Sequence, residues 1–328
     1  MKNRIDITCL LLSFLLANYF PSFSQSEVKR ISIDHFEIIF ENENIDSISF
    51  LQVTDLHFGN DWLKDLKVTR HIRQMVKENR PDFIIITGDL FTGEKDKTSY
   101  VFPFAADCFE ALELPWLFVF GNHDPEGNVG REPIRALFNN TKLGIIGFHE
   151  VAPGSIACDF LVDLKLKNQQ QPAWQVYAFD SGSEPGNKSI KADQLSWYQN
   201  LSHLTRTKYQ QIIPAIALFH IPIKQYQMLW KDSSLPKKGF RHERECFEED
   251  DGSVYQAFLE QQNIRACFCG HDHDNNFWGK YKGGILLVYG HVTGEACYHR
   301  HWPPGGKLIK LPVKGGEISI KDEIVVPE

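Results

Sequence analysis

Ser47-Ile-Ser-Phe-Leu-Gln-Val-Thr-Asp55-Leu-His57 is an apolar run that stops on a carboxylate and an imidazole. A short, continuous apolar run reads as a strand buried on both faces, and its last residues lie at the carboxyl edge of a sheet. Alone the pattern means little. Four later runs end the same way. Phe83-Ile-Ile-Ile-Thr87 passes into Gly88-Asp89, and Trp116-Leu-Phe-Val-Phe120 passes into Gly121-Asn122-His123-Asp124. The run over residues 212–219 ends on His220, and the run over 264–269 passes into Gly270-His271-Asp272-His273.

Ligands of open α/β sheets collect beyond the carboxyl ends of strands, so these five ends are expected to converge. Their side chains are Asp55, His57, Asp89, Asn122, His123, His220, His271 and His273. Carboxylates and imidazoles suit divalent Mn, Zn, Fe, Co or Ni. Seven donors and a spare histidine exceed what one ion needs. Two cations about 3.5–4 Å apart, sharing one bridging carboxylate, would use them all.

Helical periodicity predicts helices over 65–79 (stopped by Pro81), 104–113, 131–139, 191–204 and 254–262. Alternation predicts one strand over 28–40 with a phase slip. It also predicts two strands, 160–166 and 174–179, around the glutamine-rich hairpin at 169–171, and tail strands over 285–289, 308–313 and 317–326. Residues 231–252 are charged and irregular and read as a loop over the site. Strand–helix repetition in the first half indicates parallel pairing with helices outside, and the strand-rich middle indicates a second sheet.

The chain has 328 residues, 42% of them hydrophobic and 23% charged, with a net charge of −7. That charge excludes broad electrostatic capture of nucleic acid. Lys2 and Arg4 precede an apolar run over 7–20, and Ser22-Phe23-Ser24 supplies small residues where a signal peptidase would cut. Residues 1–24 therefore read as a signal peptide, with the mature chain (25–328, one domain with a strand-rich tail) exported to a periplasm or secreted. The run is too short for a membrane anchor, so no span is expected after cleavage, and Cys9 is placed too early for lipid attachment. Six cysteines follow it: Cys108, Cys158, Cys246, Cys267, Cys269 and Cys297. They are sparse and scattered, which indicates mostly buried thiols with room for one bridge. Acceptor patterns for glycosylation begin at Asn139, Asn187 and Asn200 and matter only in a eukaryotic secretory route.

The blocks D-x-H, G-D, G-N-H-D, a lone His and G-H-x-H, in that order, resemble the calcineurin-like metallophosphoesterase superfamily over about residues 47–295. Residues 118–124, 217–222 and 269–274 look like the branch related to purple acid phosphatases, in particular its fungal and plant offshoot with a short catalytic domain. The resemblance implies an α/β fold: a two-sheet sandwich flanked by helices. It also implies that Asp55, His57 and His273 hold a first metal, that Asn122, His220 and His271 hold a second, and that Asp89 bridges them. A hydroxide between the metals would attack a phosphoester substrate, His123 would protonate the leaving group, and Asp124 would orient His123. One position departs from the branch. Purple acid phosphatases place a tyrosine three residues after the bridging aspartate, and here that residue is Thr92. Two divalent ions or a mixed pair, rather than a ferric–phenolate centre, are therefore implied.

Other features have plainer readings. Cys267 and Cys269 share strand parity with His271 and His273, so a C-x-C-x-H-x-H zinc site competes with buried strand thiols. His291, His299, Arg300 and His301 are either a substrate-side rim or a solvated tail, and Thr293-Gly294 sits near them. Asn60 and Asp61 are rim or turn, and 243–251 is a solvated acidic loop. Monoester hydrolysis is the leading expectation. A phosphodiesterase on the same site and a non-catalytic scaffold of the same fold are the alternatives, and retention of every ligand type argues against the scaffold. An exported carbohydrate-binding protein would need aromatic repeats on a β-only frame, and none are present.

Overall fold

Strands buried on both faces cannot lie at a surface, so this chain must stack sheets and cover them with helices. The structure, a computed structural model, describes residues 26–92, 101–126, 130–152, 155–183 and 188–325. The expected signal segment lies outside these residues.

β1 (Ser26–Arg30) and β2 (His35–Phe40) open the chain and lead to β3 (Ser47–Val53). Then α1 (Trp62–Asn79), β4 (Phe83–Ile86), α2 (Val101–Glu110), β5 (Trp116–Phe118), α3 (Glu132–Phe138) and β6 (Gly144–Ile145) alternate. A two-stranded ribbon, β7 (His149–Ala152) and β8 (Ser155–Ala157), precedes β9 (Phe160–Leu166) and β10 (Trp174–Ala178). The rest runs α4 (Ala192–Tyr209), β11 (Ala215–Leu218), α5 (Gln225–Lys231), β12 (Lys237–Arg241), α6 (Ser253–Gln261) and β13 (Ile264–Cys269), then β14 (Asn275–Lys280), β15 (Leu286–Tyr289), β16 (Gly305–Pro312) and β17 (Ser319–Val325). One sheet has the order β17-β16-β3-β4-β5-β6, and the larger has the order β1-β2-β9-β10-β11-β13-β15-β14-β12. The β3–β4–β5–β6 pairs are parallel, as the strand–helix repetition requires. β10, β11, β13 and β15 are parallel as well.

Period-two geometry divides the core. Val176, Ala178, Ile216, Leu218, Ala266 and Phe268 face the space between the sheets. Their neighbours Tyr177, Phe179, Ala215, Ala217, Cys267 and Cys269 face outward into a second cluster with Tyr198 of α4 and Phe258 of α6. Phe50 of β3 meets Phe268 of β13 edge-on at 5.2 Å and joins the sheets. Such aromatic pairs add about 0.5–1.5 kcal/mol beyond the area they bury. Asp61 caps α1 by accepting from the amides of Leu63 and Lys64, so it is a helix cap and not a rim residue.

Three expectations need correction. The predicted strand over 28–40 is an antiparallel hairpin, β1 with β2; its phase slip is the turn, in which Ser32 donates to Asp34 and Ile31 and Ile33 stay exposed. The loop over 231–252 contains β12, an edge strand antiparallel to β14. Its charges hid it, and charge on an edge strand guards against stray pairing. The acidic stretch within that loop is not simply solvated, because Glu245 and Asp250 are buried. Glu245 takes both arms of Arg241, at 2.7 and 3.2 Å. All six cysteines from Cys108 to Cys297 are free. Among the described residues no helix is long and apolar enough to cross a membrane.

Candidate metal centre

Backbone hydrogen bonds stitch the strand ends together. The amide of Asp55 donates to Gly88, that of His57 to Asp89, and that of Gly270 to His220, at 3.0–3.1 Å. Four residues that carry the site adopt the left-handed backbone conformation: Asp55 and His57 (both φ 53°), Asp89 (φ 50°) and His271 (φ 85°). Side chains rarely tolerate this region, and strain of this kind clusters where geometry must be held. The neighbouring glycines follow from crowding. A Cβ on Gly121 would stand 2.1 Å from Asp89 Oδ1, and one on Gly88 (φ +91°) would stand 2.4 Å from His220 Nδ1.

The seven expected donors come together. The offered atoms of Asp55, His57 and Asp89 lie within 4.8 Å of one another. His273 Nε2 is 3.2 Å from Asp55 Oδ1. His220 Nε2 is 3.1 Å from Asp89 Oδ2, 3.2 Å from Asn122 Oδ1 and 3.3 Å from His271 Nδ1. Asp89 thus touches both halves of the cluster, with His220 on one side and His57 Nε2 at 3.7 Å on the other. Asp55, Asp89 and His220 are almost wholly buried.

The imidazoles are oriented from behind. His220 Nδ1 donates to the Thr87 carbonyl at 2.8 Å, and His273 Nδ1 to the Tyr298 carbonyl at 3.1 Å. Each bond leaves Nε2 facing the cluster, the usual arrangement for a metal-binding histidine. The field has one sign. Burial raises the Asp55 carboxyl, but His273 and His220 outweigh it and hold it at about 2. Burial lowers His220, yet Asp89 pulls it up to about 9. His57 is pushed down by burial to about 4 and His271 to about 3. Two buried carboxylates therefore draw protons onto some imidazoles while others stay neutral. The cluster favours positive charge, and cations would satisfy it in place of protons.

His123 projects beside this cluster, its ring 5.4 Å from that of His57, and its amide donates to Asp89 Oδ1 at 2.9 Å. The partner at its Nδ1 is Glu126, at 2.8 Å, and not the expected Asp124. Asp124 is fully buried and accepts from the amides of Asp89, Phe91 and Gly121 at 2.6–2.9 Å. A carboxylate beside a histidine in sequence looks like its orienting partner. Here the tight turn aims Asp124 back at the backbone, and Glu126, three residues on, takes the ring nitrogen. Glu126 is about two-fifths exposed, so Glu126→Gln should leave the melting temperature within about 1 °C, as surface changes do. With His123 as the acid that the sequence resemblance implies, turnover of an aryl phosphate should fall about tenfold, part of the 10²–10⁴ that a positioned acid supplies. Unchanged turnover would remove Glu126 from the site.

Other residues resolve in the same way. Thr92, where the related branch has tyrosine, donates its hydroxyl to the His57 carbonyl. His291 is buried and bonded to Asn276 and Pro303, so it is neither rim nor tail. Thr293 and Gly294 fasten the end of β3 through the backbone of Thr54 and Asp55. His301 stacks on His242 at 3.9 Å and faces Asp274, which makes it part of a rim with the half-exposed Tyr298. Cys267 and Cys269 point into the outer core, so the zinc reading fails. Sequence reasoning missed Glu126, Tyr298, which stacks on His273 at 4.1 Å, and Glu248, whose carboxylate reaches within 4.0 Å of His271 Nε2. It also missed Cys297, which clusters with His57 and His273. Of these only the spacing of His123 and Glu126 was a usable signal.

The residues fit a cation pair. His57 is buried, yet its Nε2 has no hydrogen-bond partner, and such orphaned atoms call for an explanation. Two carboxylates, an amide oxygen and four imidazoles form a donor set for borderline divalent metals.

Known proteins resemble this chain in sequence and in fold. "Probable inactive purple acid phosphatase 28" of Arabidopsis thaliana is 28% identical over 82% of this chain and 76% of its own length. "Probable inactive purple acid phosphatase 29" of the same plant is 27% identical over 90% and 82%. A dimetal phosphatase from Danio rerio superposes with a TM-score of 0.61 at 12% identity, over 84% of this chain and 95% of that one, which shows the shared fold. The profile of the calcineurin-like phosphoesterases matches residues 48–275, the span that carries every strand end described above. This chain is therefore a member of the calcineurin-like phosphoesterase family, with relatives named as probable inactive purple acid phosphatases.

Proposed function

We propose that this chain is an exported phosphatase that hydrolyses phosphate monoesters with two divalent cations. The observation that carries the reading is the meeting of seven donors around two buried carboxylates, with His123 beside them. Asp55, His57 and His273 would hold one cation and Asn122, His220 and His271 the other, with Asp89 between. Cations held there supply Lewis acidity toward a phosphoryl oxygen and a nucleophile from water at neutral pH.

The chain's own residues do the rest. Glu126 on Nδ1 fixes which ring nitrogen of His123 faces the site, so that Nε2 delivers a proton to the departing oxygen. Tyr298, Glu243 and the stacked His242–His301 pair form the wall a leaving group would meet. Export rests on the apolar, lysine- and arginine-led segment ahead of residue 25, with 25–328 acting as one domain. N-terminal sequencing of protein recovered outside the cytoplasm tests it.

The second reading is a cation-binding scaffold without turnover, favoured by the words "probable inactive" in the relatives' names. One panel separates the two. Wild-type protein is loaded with Mn, Zn, Fe, Co or Ni and assayed on an aryl phosphate and a bis-aryl phosphate beside His123→Ala. The variant is expected to keep both cations and lose about 10²–10⁴ of the turnover. Wild-type protein that binds two cations and hydrolyses neither ester would establish the scaffold, and a faster diester reaction would make it a phosphodiesterase.

A further inference from the structure

We propose that the Cys297 thiol is a donor to the cation held by Asp55, His57 and His273. The sulfur atom and one ring nitrogen each of His57 and His273 lie within 4.8 Å of one another, close enough to share one ion. No motif announces this residue; it is brought in by the segment after β15. That segment is anchored at the site. Thr293 donates its amide to Thr54, and Gly294 donates to Asp55 at 3.1 Å. Cys297 Sγ itself lies 3.4 Å from the Asp55 carbonyl and 3.3 Å from that of Gly294. The next residue, Tyr298, clamps His273 twice, by its carbonyl on Nδ1 and by its ring. One short stretch thus offers a donor and orients another.

A second observation points to a ligand in the same place. His57 is 8% exposed, and its Nε2 is without a hydrogen-bond partner although it lies 3.7 Å from Asp89. An imidazole buried in this way is satisfied by an ion shared with its neighbours. When sulfur binds the ion, the thiol proton passes to solvent and a sulfur–metal bond replaces the S–H bond.

The consequence is asymmetry. The His220–His271–Asn122 side offers only nitrogen and oxygen, whereas the Asp55–His57–His273 side gains a soft sulfur. Zn, Fe(II) or Co(II) would favour that side over Mn(II).

This inference rests on the two-cation reading, and cobalt distinguishes their failures. Full-length protein stripped by chelator is titrated with Co(II) under reducing conditions and followed by absorption. Two equivalents are expected to bind with visible d–d bands and a near-ultraviolet sulfur-to-cobalt charge-transfer band. Cys297→Ser should keep the d–d bands and lose the charge-transfer band, and its Zn(II) affinity at one site should fall by at least the roughly 10–100-fold that losing a mere supporting group costs. Cys246→Ser, which removes the exposed thiol, should retain the band. Two bound equivalents without the band in wild type, or a band that survives Cys297→Ser, would overturn the sulfur ligand and leave the two-cation reading standing. Failure to bind cobalt at all would overturn both. The wild-type spectrum decides the matter even should the serine variant fold poorly.

Discussion

Asp89→Asn protein is expected to fold, to retain less than one full equivalent of either cation, and to lose at least about 100-fold of the wild-type turnover. Asp89 reaches both halves of the cluster more closely than Asp55 does, with His220 Nε2 at 3.1 Å and His57 Nε2 at 3.7 Å from the same oxygen, whereas Asp55 Oδ1 lies 4.0 Å from His220 Nε2. On the two-cation reading, removing its charge would take away the buried anion that offsets the mutual repulsion of cations held on either side of it. Even supporting groups around a metal ligand cost 10–100-fold when lost, so a shared ligand should cost more. The fold should survive, because asparagine keeps an oxygen for the amide of His123, which now sits on Asp89 Oδ1. His271→Ala should release only one cation, since the ring it removes stands 3.3 Å from His220 Nε2, and the His271 amide that donates to Asp55 is left in place. Metal analysis of gel-filtered protein, read beside a thermal melt, makes the comparison. An Asp89→Asn protein holding two full equivalents would show that the carboxylate does not bridge.

The strand ends were legible because strands buried on both faces leave nothing but apolar residues until the chain exits the sheet. A polar residue at that point is conspicuous, and Asp55, Asp89, Asn122, His220 and His271 were all found this way. Other features left no such mark. β12 is Lys237-Lys-Gly-Phe-Arg241, whose charges suit an edge strand and disguise its pairing with β14. β14 begins with two buried asparagines, Asn275 and Asn276, a residue type that strands usually lack. Asn275 instead accepts from the amides of His242 and Glu243 and closes the loop over the site. Cys297 stands in a stretch with no periodicity, and tertiary bonds of Thr293, Gly294, Glu295 and Ala296 bring it to Asp55. Asp124 was expected to face His123, and its side chain faces the amides of Asp89, Phe91 and Gly121 instead.

That direction sets the second large effect. Asp124→Ala should lower the unfolding free energy by about 3–6 kcal/mol. The carboxylate is fully buried, and its two oxygens accept from three amides: Asp89 and Gly121 on Oδ2, Phe91 on Oδ1. Each buried donor left without a partner costs about 1–3 kcal/mol, and a domain of this kind has only about 5–15 kcal/mol in total. Two of the three amides belong to the glycine–aspartate and glycine–asparagine corners that hold Asp89 in its left-handed conformation. Relaxing them would move the shared carboxylate, so cation affinity should fall along with stability. Asp124→Asn should be intermediate, because it keeps one acceptor but turns an NH₂ group toward amide donors. Urea unfolding of the alanine, asparagine and Glu126→Gln variants separates the roles of the two carboxylates: Asp124 should move the midpoint and Glu126 should not. An Asp124→Ala protein that unfolds like wild type while losing turnover would return Asp124 to the part of orienting His123.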